Sequence, residues 1–105
     1  MATHMISSDR TGNRIDVRVD GEVDLATVHH LEAHLDEAMK VAAVDLVVVD
    51  LSRCSFMDST GISVLARSCP SAGRSGPAVR VGPASDSVRR ILQTSGLEGL
   101  IARDW

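Results

Sequence analysis

The sequence is nearly without aromatic side chains. Phe56 and Trp105 are the only two among 105 residues, and there is no tyrosine. The stacking platforms on which single-stranded nucleic acids are held are therefore missing. Lysine is as scarce, with Lys40 the only one, and the arginines form no basic run. With a formal net charge of −3, the chain has no electrostatic footprint for nucleic acid. No apolar stretch approaches the ~20 residues needed to cross a bilayer. The N-terminus lacks the charged-then-apolar order of a signal peptide. A cytoplasmic protein without membrane insertion is the expectation. The two cysteines, Cys54 and Cys69, are too few for a disulfide framework and fit no zinc spacing. Both read as free thiols, with Cys69 on a buried helix face and ordinary packing preferred over a redox role.

What is present suits one small α/β domain spanning 1–105. About 44% of residues are apolar and 24% charged, an ordinary composition for a chain with a single core. Ile15, Val17 and Val19 alternate with charged residues, as in a half-buried strand. Ile6–Ser8 is placed to pair with it through a turn over Asp9–Asn13, and Gly21 ends the strand. From Leu25 the period changes. Val28, Leu31, Leu35 and Ala38 or Met39 recur at helical spacing, predicting a helix to about Val41 capped by Asp24 or Thr27. Leu46–Val49 is a continuous β-branched run of the kind found in central parallel strands. A polar loop should follow it. Ile62, Leu65, Ala66 and Cys69 then mark a second helix, ended by Pro70. Ala78–Val81 reads as a strand closed by Gly82-Pro83. A third helix carries Val88, Ile91 and Leu92, with Asp86 or Ser87 as cap and Gly96 as terminator. Leu97, Leu100 and Ile101 are expected to dock behind it. Strand–helix–strand order implies pairing that is at least partly parallel.

The chemistry concentrates in "VVVDLSRCSFMDSTGISVL", Val47–Leu65. Asp58-Ser59-Thr60-Gly61 opens a helix just beyond a central strand, where α/β sheets place ligands and chemistry. Several readings compete. The oxygens of Asp58, Ser59 and Thr60 suit capping of free helix N–H groups. A serine nucleophile would want a Gly-x-Ser-x-Gly elbow and a nearby histidine, and His29, His30 and His34 all lie on the first helix. A phosphate loop would want more glycine and a lysine. Asp50 ends a strand as a phospho-acceptor aspartate would, but without the acidic cluster and later lysine such a site needs. A phosphate on Ser59 would sit at a helix N-terminus that favours anions, changing a docking face and not the fold. His30 and His34, spaced i, i+4, lack a third metal ligand. Arg89-Arg90 reads as a solvated helix face. No metal or cofactor is expected.

That stretch resembles the signature of STAS-domain anti-sigma factor antagonists of bacteria. "VDGEVDLATVHHL" before it and "VRVGPASDSVRRILQTSGLEGLI" after it extend the resemblance over nearly the whole chain. It implies the STAS fold, a small mixed β-sheet of about four to five strands with three to four α-helices. It also implies a binding protein without catalytic activity of its own. The unphosphorylated antagonist binds an anti-sigma factor that is also a serine kinase, and so frees the sigma factor. That kinase uses ATP to phosphorylate the serine after the aspartate, and a serine phosphatase resets the switch. By resemblance Ser59 is the acceptor. Asp58 would orient its hydroxyl or contact the kinase, with Thr60 as the neighbouring hydroxyl. Gly61 would admit the partner's backbone. Phe56, Met57, Gly21, Glu22 and Asp24 would complete the docking face. The segment "ARSCPSAGRSGPAV" is shorter than the basic second helix usual in the family. Within the same fold, a docking subunit of an ABC-type transporter ATPase or of a stress-signalling scaffold is the alternative.

Overall fold

The computed structural model describes residues 4–68, 77–97 and 99. The expectations for Cys69, Pro70, Leu100 and Ile101, and the segment 71–76, lie outside them. The order is β1 (His4–Thr11), β2 (Arg14–Val23), α1 (Val28–Met39), β3 (Leu46–Met57), α2 (Ser59–Ser68), β4 (Ala78–Ala84) and α3 (Asp86–Thr94). The strands form one sheet in the order β1-β2-β3-β4. β1 pairs antiparallel to β2. β2–β3 and β3–β4 are parallel. This is the small mixed sheet with three helices that the STAS resemblance implied, at the lower count for each.

The first hairpin is tighter than expected. Thr11 pairs with Arg14, so only Gly12-Asn13 turns the chain, and Gly12 takes φ 62°. Two-residue hairpin turns of this kind want a residue with φ above zero. The strand therefore continues through Asp9 and Arg10, whose exposed side chains hid it from a hydrophobic pattern.

One core lies between the sheet and the three helices. Ile15, Val17 and Val19 of β2, Val47 and Val49 of β3, and Val79 and Val81 of β4 meet Leu31, Leu35, Val64, Leu65, Val88 and Leu92. Val48 is also buried but lies outside that cluster, on the opposite face as strand alternation requires. The outer face is charged, with exposed ion pairs such as Arg18–Asp9 at 3.2 Å and Arg53–Asp20 at 3.8 Å. Pairs of this kind add little stability.

The anticipated loop after Val49 is strand. β3 runs on to Met57, and it buries Leu51, Cys54 and Met57 while exposing the two residues between each. The cause is two bulges. From Arg18 to Asp20 β2 advances two residues while β3 advances three, from Asp50 to Arg53. From Gly21 to Glu22 it advances one while β3 advances two, from Cys54 to Phe56. Each bulge adds a residue and turns the strand, giving a cadence of three that matches neither strand nor helix periodicity. β2 likewise passes Gly21, at φ 101°, and ends at Val23. Cys54 is fully buried and its Sγ donates to the Phe56 carbonyl at 3.3 Å. Burial pushes this thiol's pKa up, which disfavours the reactive thiolate.

The helix ends differ from the pattern in instructive ways. α1 stops at Met39, with Lys40 as C-cap. α2 turns Gly61, Val64 and Leu65 inward and leaves Ala66 exposed, so its buried stripe is rotated from the expected one. β4 continues through Gly82-Pro83 to Ala84; proline is tolerated there because β4 is an edge strand. α3 is capped by Ser85, not by Asp86 or Ser87. The Ser85 hydroxyl accepts from Val88 N–H at 3.2 Å and donates to the Cys54 carbonyl at 2.6 Å. Ser85→Ala should therefore cost about 1–2 kcal/mol, a cap plus a bond to the sheet, read as a lower midpoint in urea unfolding. α3 ends at Gly96, φ 73°, where Leu97 N–H returns to the Leu92 carbonyl at 2.7 Å.

Candidate docking and modification site

α2 begins where it does because of Asp58. Its carbonyl accepts from Ile62 N–H at 3.1 Å, and its own N–H donates to the Val23 carbonyl at 3.0 Å. Its side chain serves the first turn. Oδ1 accepts from Thr60 N–H at 2.9 Å, from Gly61 N–H at 3.4 Å and from the Thr60 hydroxyl. Oδ2 crosses to the β2–α1 turn and accepts from Leu25 N–H at 3.1 Å. The Thr60 hydroxyl, foremost among these donors, holds the Asp58 pKa below the usual carboxylate value. The group is thus an anion at neutral pH, placed where orphan helix N–H groups favour one.

Ser59 is the first residue of α2 and is exposed. Among the described residues its hydroxyl makes no hydrogen bond; its carbonyl accepts from the Ser63 hydroxyl at 2.8 Å. The capping reading therefore divides within the motif. Asp58 caps, Thr60 bonds to Asp58, and Ser59 is left presented to solvent. No described histidine hydrogen-bonds to Ser59, so the geometry of an activated nucleophile is not assembled there. Among the described residues no three His, Cys, Asp or Glu side chains cluster to hold a metal. His34 Nδ1 instead lies 3.1 Å from the Ser8 hydroxyl.

The expected docking residues separate into surface and scaffold. Phe56 is 45% exposed and pairs with exposed Glu22 across β2 and β3. Met57 does not belong to the surface: it is 1% exposed and packs in the core. Gly61 is corrected in the same way. A Cβ there would meet Met57 Cγ at 2.6 Å and Val23 Cγ1 at 2.9 Å. Glycine at 61 thus lets α2 lie close on its own sheet, and it is buried from any partner. Gly21 sits half-buried at a bulge. Asp24 folds its turn: Oδ1 accepts from Ala26 N–H at 3.0 Å and Thr27 N–H at 3.1 Å. Thr27 is the α1 N-cap by position but makes no side-chain capping bond. Nor does Asp58 orient the Ser59 hydroxyl; its oxygens are directed to Leu25, Thr60 and Gly61.

One surface residue escaped the sequence pattern. Leu25, from which the change to a helical period is expected, is 77% exposed. It lies in the turn before α1. Its place ahead of the Thr27 cap was the available signal, because a residue two before the cap need not follow the helix stripe.

The described residues thus form a small α/β domain with an exposed serine at a helix start, an exposed Leu25 in the turn bonded to Asp58 and an exposed Phe56 near the end of β3. The chain belongs to the STAS-domain family: the family model described as "Mlab, STAS domain" matches residues 6–102. An anti-sigma F factor antagonist of Paenibacillus polymyxa is 31% identical over 81 residues, 77% of this chain and 69% of that protein. The structure of the anti-sigma factor antagonist SpoIIAA in its unphosphorylated form superposes with a TM-score of 0.73 at 27% identity, covering 93% of this chain and 86% of that one. Bacillus SpoIIAA in the phosphorylated form gives a TM-score of 0.66 at 26% identity, with 93% of this chain and 89% of that chain covered.

Proposed function

We propose that this protein is an anti-sigma factor antagonist whose binding is switched off by phosphorylation of Ser59. The observation that carries the reading is Ser59 itself, exposed at the start of α2 with a hydroxyl unbonded among the described residues. Its neighbours Asp58 and Thr60 are both committed to holding the helix start. That SpoIIAA is known in unphosphorylated and phosphorylated forms supports it.

The unmodified chain binds an anti-sigma factor through Phe56, Glu22 and the α2 N-terminus, and the sigma factor is released. The anti-sigma factor, acting as a serine kinase, then transfers the γ-phosphoryl group of ATP. The Ser59 oxygen forms the new bond to phosphorus, the bond from the γ-phosphorus to the β–γ bridging oxygen breaks, ADP leaves and the hydroxyl proton is released. The product carries about −1.5 to −2 additional charge at the docking face. A serine phosphatase returns the chain to the binding form.

Intact-mass measurement after incubation with ATP and a candidate anti-sigma kinase tests this. A gain of about 80 Da, absent in Ser59→Ala, is the expected result. A kinase that binds the chain and leaves its mass unchanged would refute phosphorylation as the switch.

A second reading has one observation of its own. The matching family model is described by Mlab and not by an anti-sigma factor antagonist. Under that reading Ser59 is a contact residue of a docking subunit for an ABC-type ATPase. Stable co-purification with such an ATPase, and with no anti-sigma factor, would establish it.

A further inference from the structure

Leu25 and Ser59 lie on different segments, and the side chain of Asp58, the residue before Ser59, reaches the Leu25 backbone. The Asp58 carboxylate has two ends. Oδ1 is held by three donors, Thr60 N–H, the Thr60 hydroxyl and Gly61 N–H. Among the described residues Oδ2 has one bond, from Leu25 N–H. Leu25 is the most exposed of the large apolar residues described, and Phe56 stands on the neighbouring segment. The turn that carries Leu25 is also shaped by Asp24 and Thr27, and Thr27 Oγ1 donates to the Glu22 carbonyl at its β2 end. Among the described residues Asp58 is the side chain of the α2 start that holds the Leu25 backbone.

The charges nearby bear on how a phosphate would act. Residues 22–27 and 54–63 contain Glu22, Asp24 and Asp58 and no Lys, Arg or His. A partner complementary to this surface offers an apolar pocket edged by basic side chains. Such an edge would attract a phosphate, so repulsion from the partner is a poor account of how modification ends binding. The like charge that a phosphate meets first is inside this chain, on the adjacent residue Asp58. A phosphate on the first residue of α2 also competes for the N–H groups of the first turn.

We infer that Leu25 is an apolar anchor of the docking surface, and that Asp58 couples its position to the modification state of Ser59. The partner it fits is an anti-sigma factor with an apolar pocket bordered by Lys or Arg. The inference rests on the function proposed above for its partner. Its coupling half rests on this chain alone. Phosphate at Ser59 repels the Asp58 carboxylate and draws first-turn donors away from Oδ1, so the carboxylate turns. As it turns, the Oδ2 bond to Leu25 N–H is lost, and the Leu25 turn is released. Asp58 is a positioning residue here.

The test uses the full chain with phosphoserine placed at position 59 during translation, so that no kinase is needed. Amide proton shifts are then read by NMR. On phosphorylation the Leu25 amide proton should move upfield, as a lost hydrogen bond requires, and by more than those of Ala26 and Thr27, which bond to Asp24. In Asp58→Asn the Leu25 proton should already be upfield, and phosphoserine should move it no further. A Leu25 amide that is indifferent to phosphoserine, or that responds equally in Asp58→Asn, overturns the coupling. For the anchor, Leu25→Asp should weaken anti-sigma factor binding at least about tenfold with the Leu25→Ala loss smaller. Unchanged binding by Leu25→Asp overturns the anchor. Failure of the unmodified wild type to bind any anti-sigma factor would instead count against the proposed function, and the amide shifts would still decide the coupling.

Discussion

Gly61→Val should lower the unfolding free energy by about 2–3 kcal/mol, a fall in Tm of roughly 10–20 °C for a domain of this size. The first methyl-sized atom already has no room, lying 2.6 Å from Met57 Cγ and 2.9 Å from Val23 Cγ1. Neither neighbour can yield cheaply. Met57 and Val23 are both 1% exposed, and a β-branched valine is stiff at χ1. Valine is a better probe than alanine for a reason of magnitude. Gly→Ala inside a helix gains about 1 kcal/mol of propensity, which would mask much of the clash. Thermal unfolding measured beside partner binding separates the two roles considered for this glycine. A packing role lowers Tm. A role in admitting a partner's backbone would leave Tm near that of the wild type and weaken binding alone.

Ser59→Asp should weaken anti-sigma factor binding by about thirtyfold, or roughly 2 kcal/mol, while Ser59→Ala should bind as the unmodified protein does and resist switching. The effect would belong to the interface and not to folding. Ser59 is exposed, and its side chain supports nothing else among the described residues. A carboxylate in the first turn of a helix stabilises by about 0.3–1 kcal/mol, so the aspartate variant should unfold no earlier than the parent. The new charge adjoins Asp58, which is already ionised and held so by its donors. Titration calorimetry of both variants against one anti-sigma factor is the measurement. Equal affinities would remove modification at Ser59 as a switch.

The element order was legible because most elements carry their own period. β2 alternates, and α1 repeats Leu31, Leu35 and Ala38 on its buried side. The second half of β3 was not legible, because two bulges impose a spacing of three that no regular element has. The same bulges explain the error over Met57. A chain assumed to leave the sheet after Val49 places Phe56 and Met57 together in a loop, whereas a bulged strand sends Phe56 outward and Met57 inward. For the site, the motif located Ser59, but the division of labour within it depends on contacts distant in sequence. That Asp58 reaches Leu25, 33 residues away, could not be read from Asp-Ser-Thr-Gly. Ser85 was missed for a similar reason, since its second bond goes to Cys54, 31 residues earlier.

The three-residue cadence of β3 also makes chain length a form of information. Deleting one residue between Leu51 and Met57 would move every later residue back by one place in that cadence. Met57 would fall on an outward place and the charged Asp58 on the inward one, and Asp58 would lose its register with Val23. The exposed Gly12-Asn13 hairpin is tied only through Asn13 to Asp45 and Leu46 and through Gly12 to Arg10 among the described residues, and residues added there would bulge into solvent without changing which side chains face the core. Tolerance to insertion and deletion in this small domain should therefore be sharply uneven. The rigid measure runs from the middle of the sheet to the hydroxyl at the start of α2.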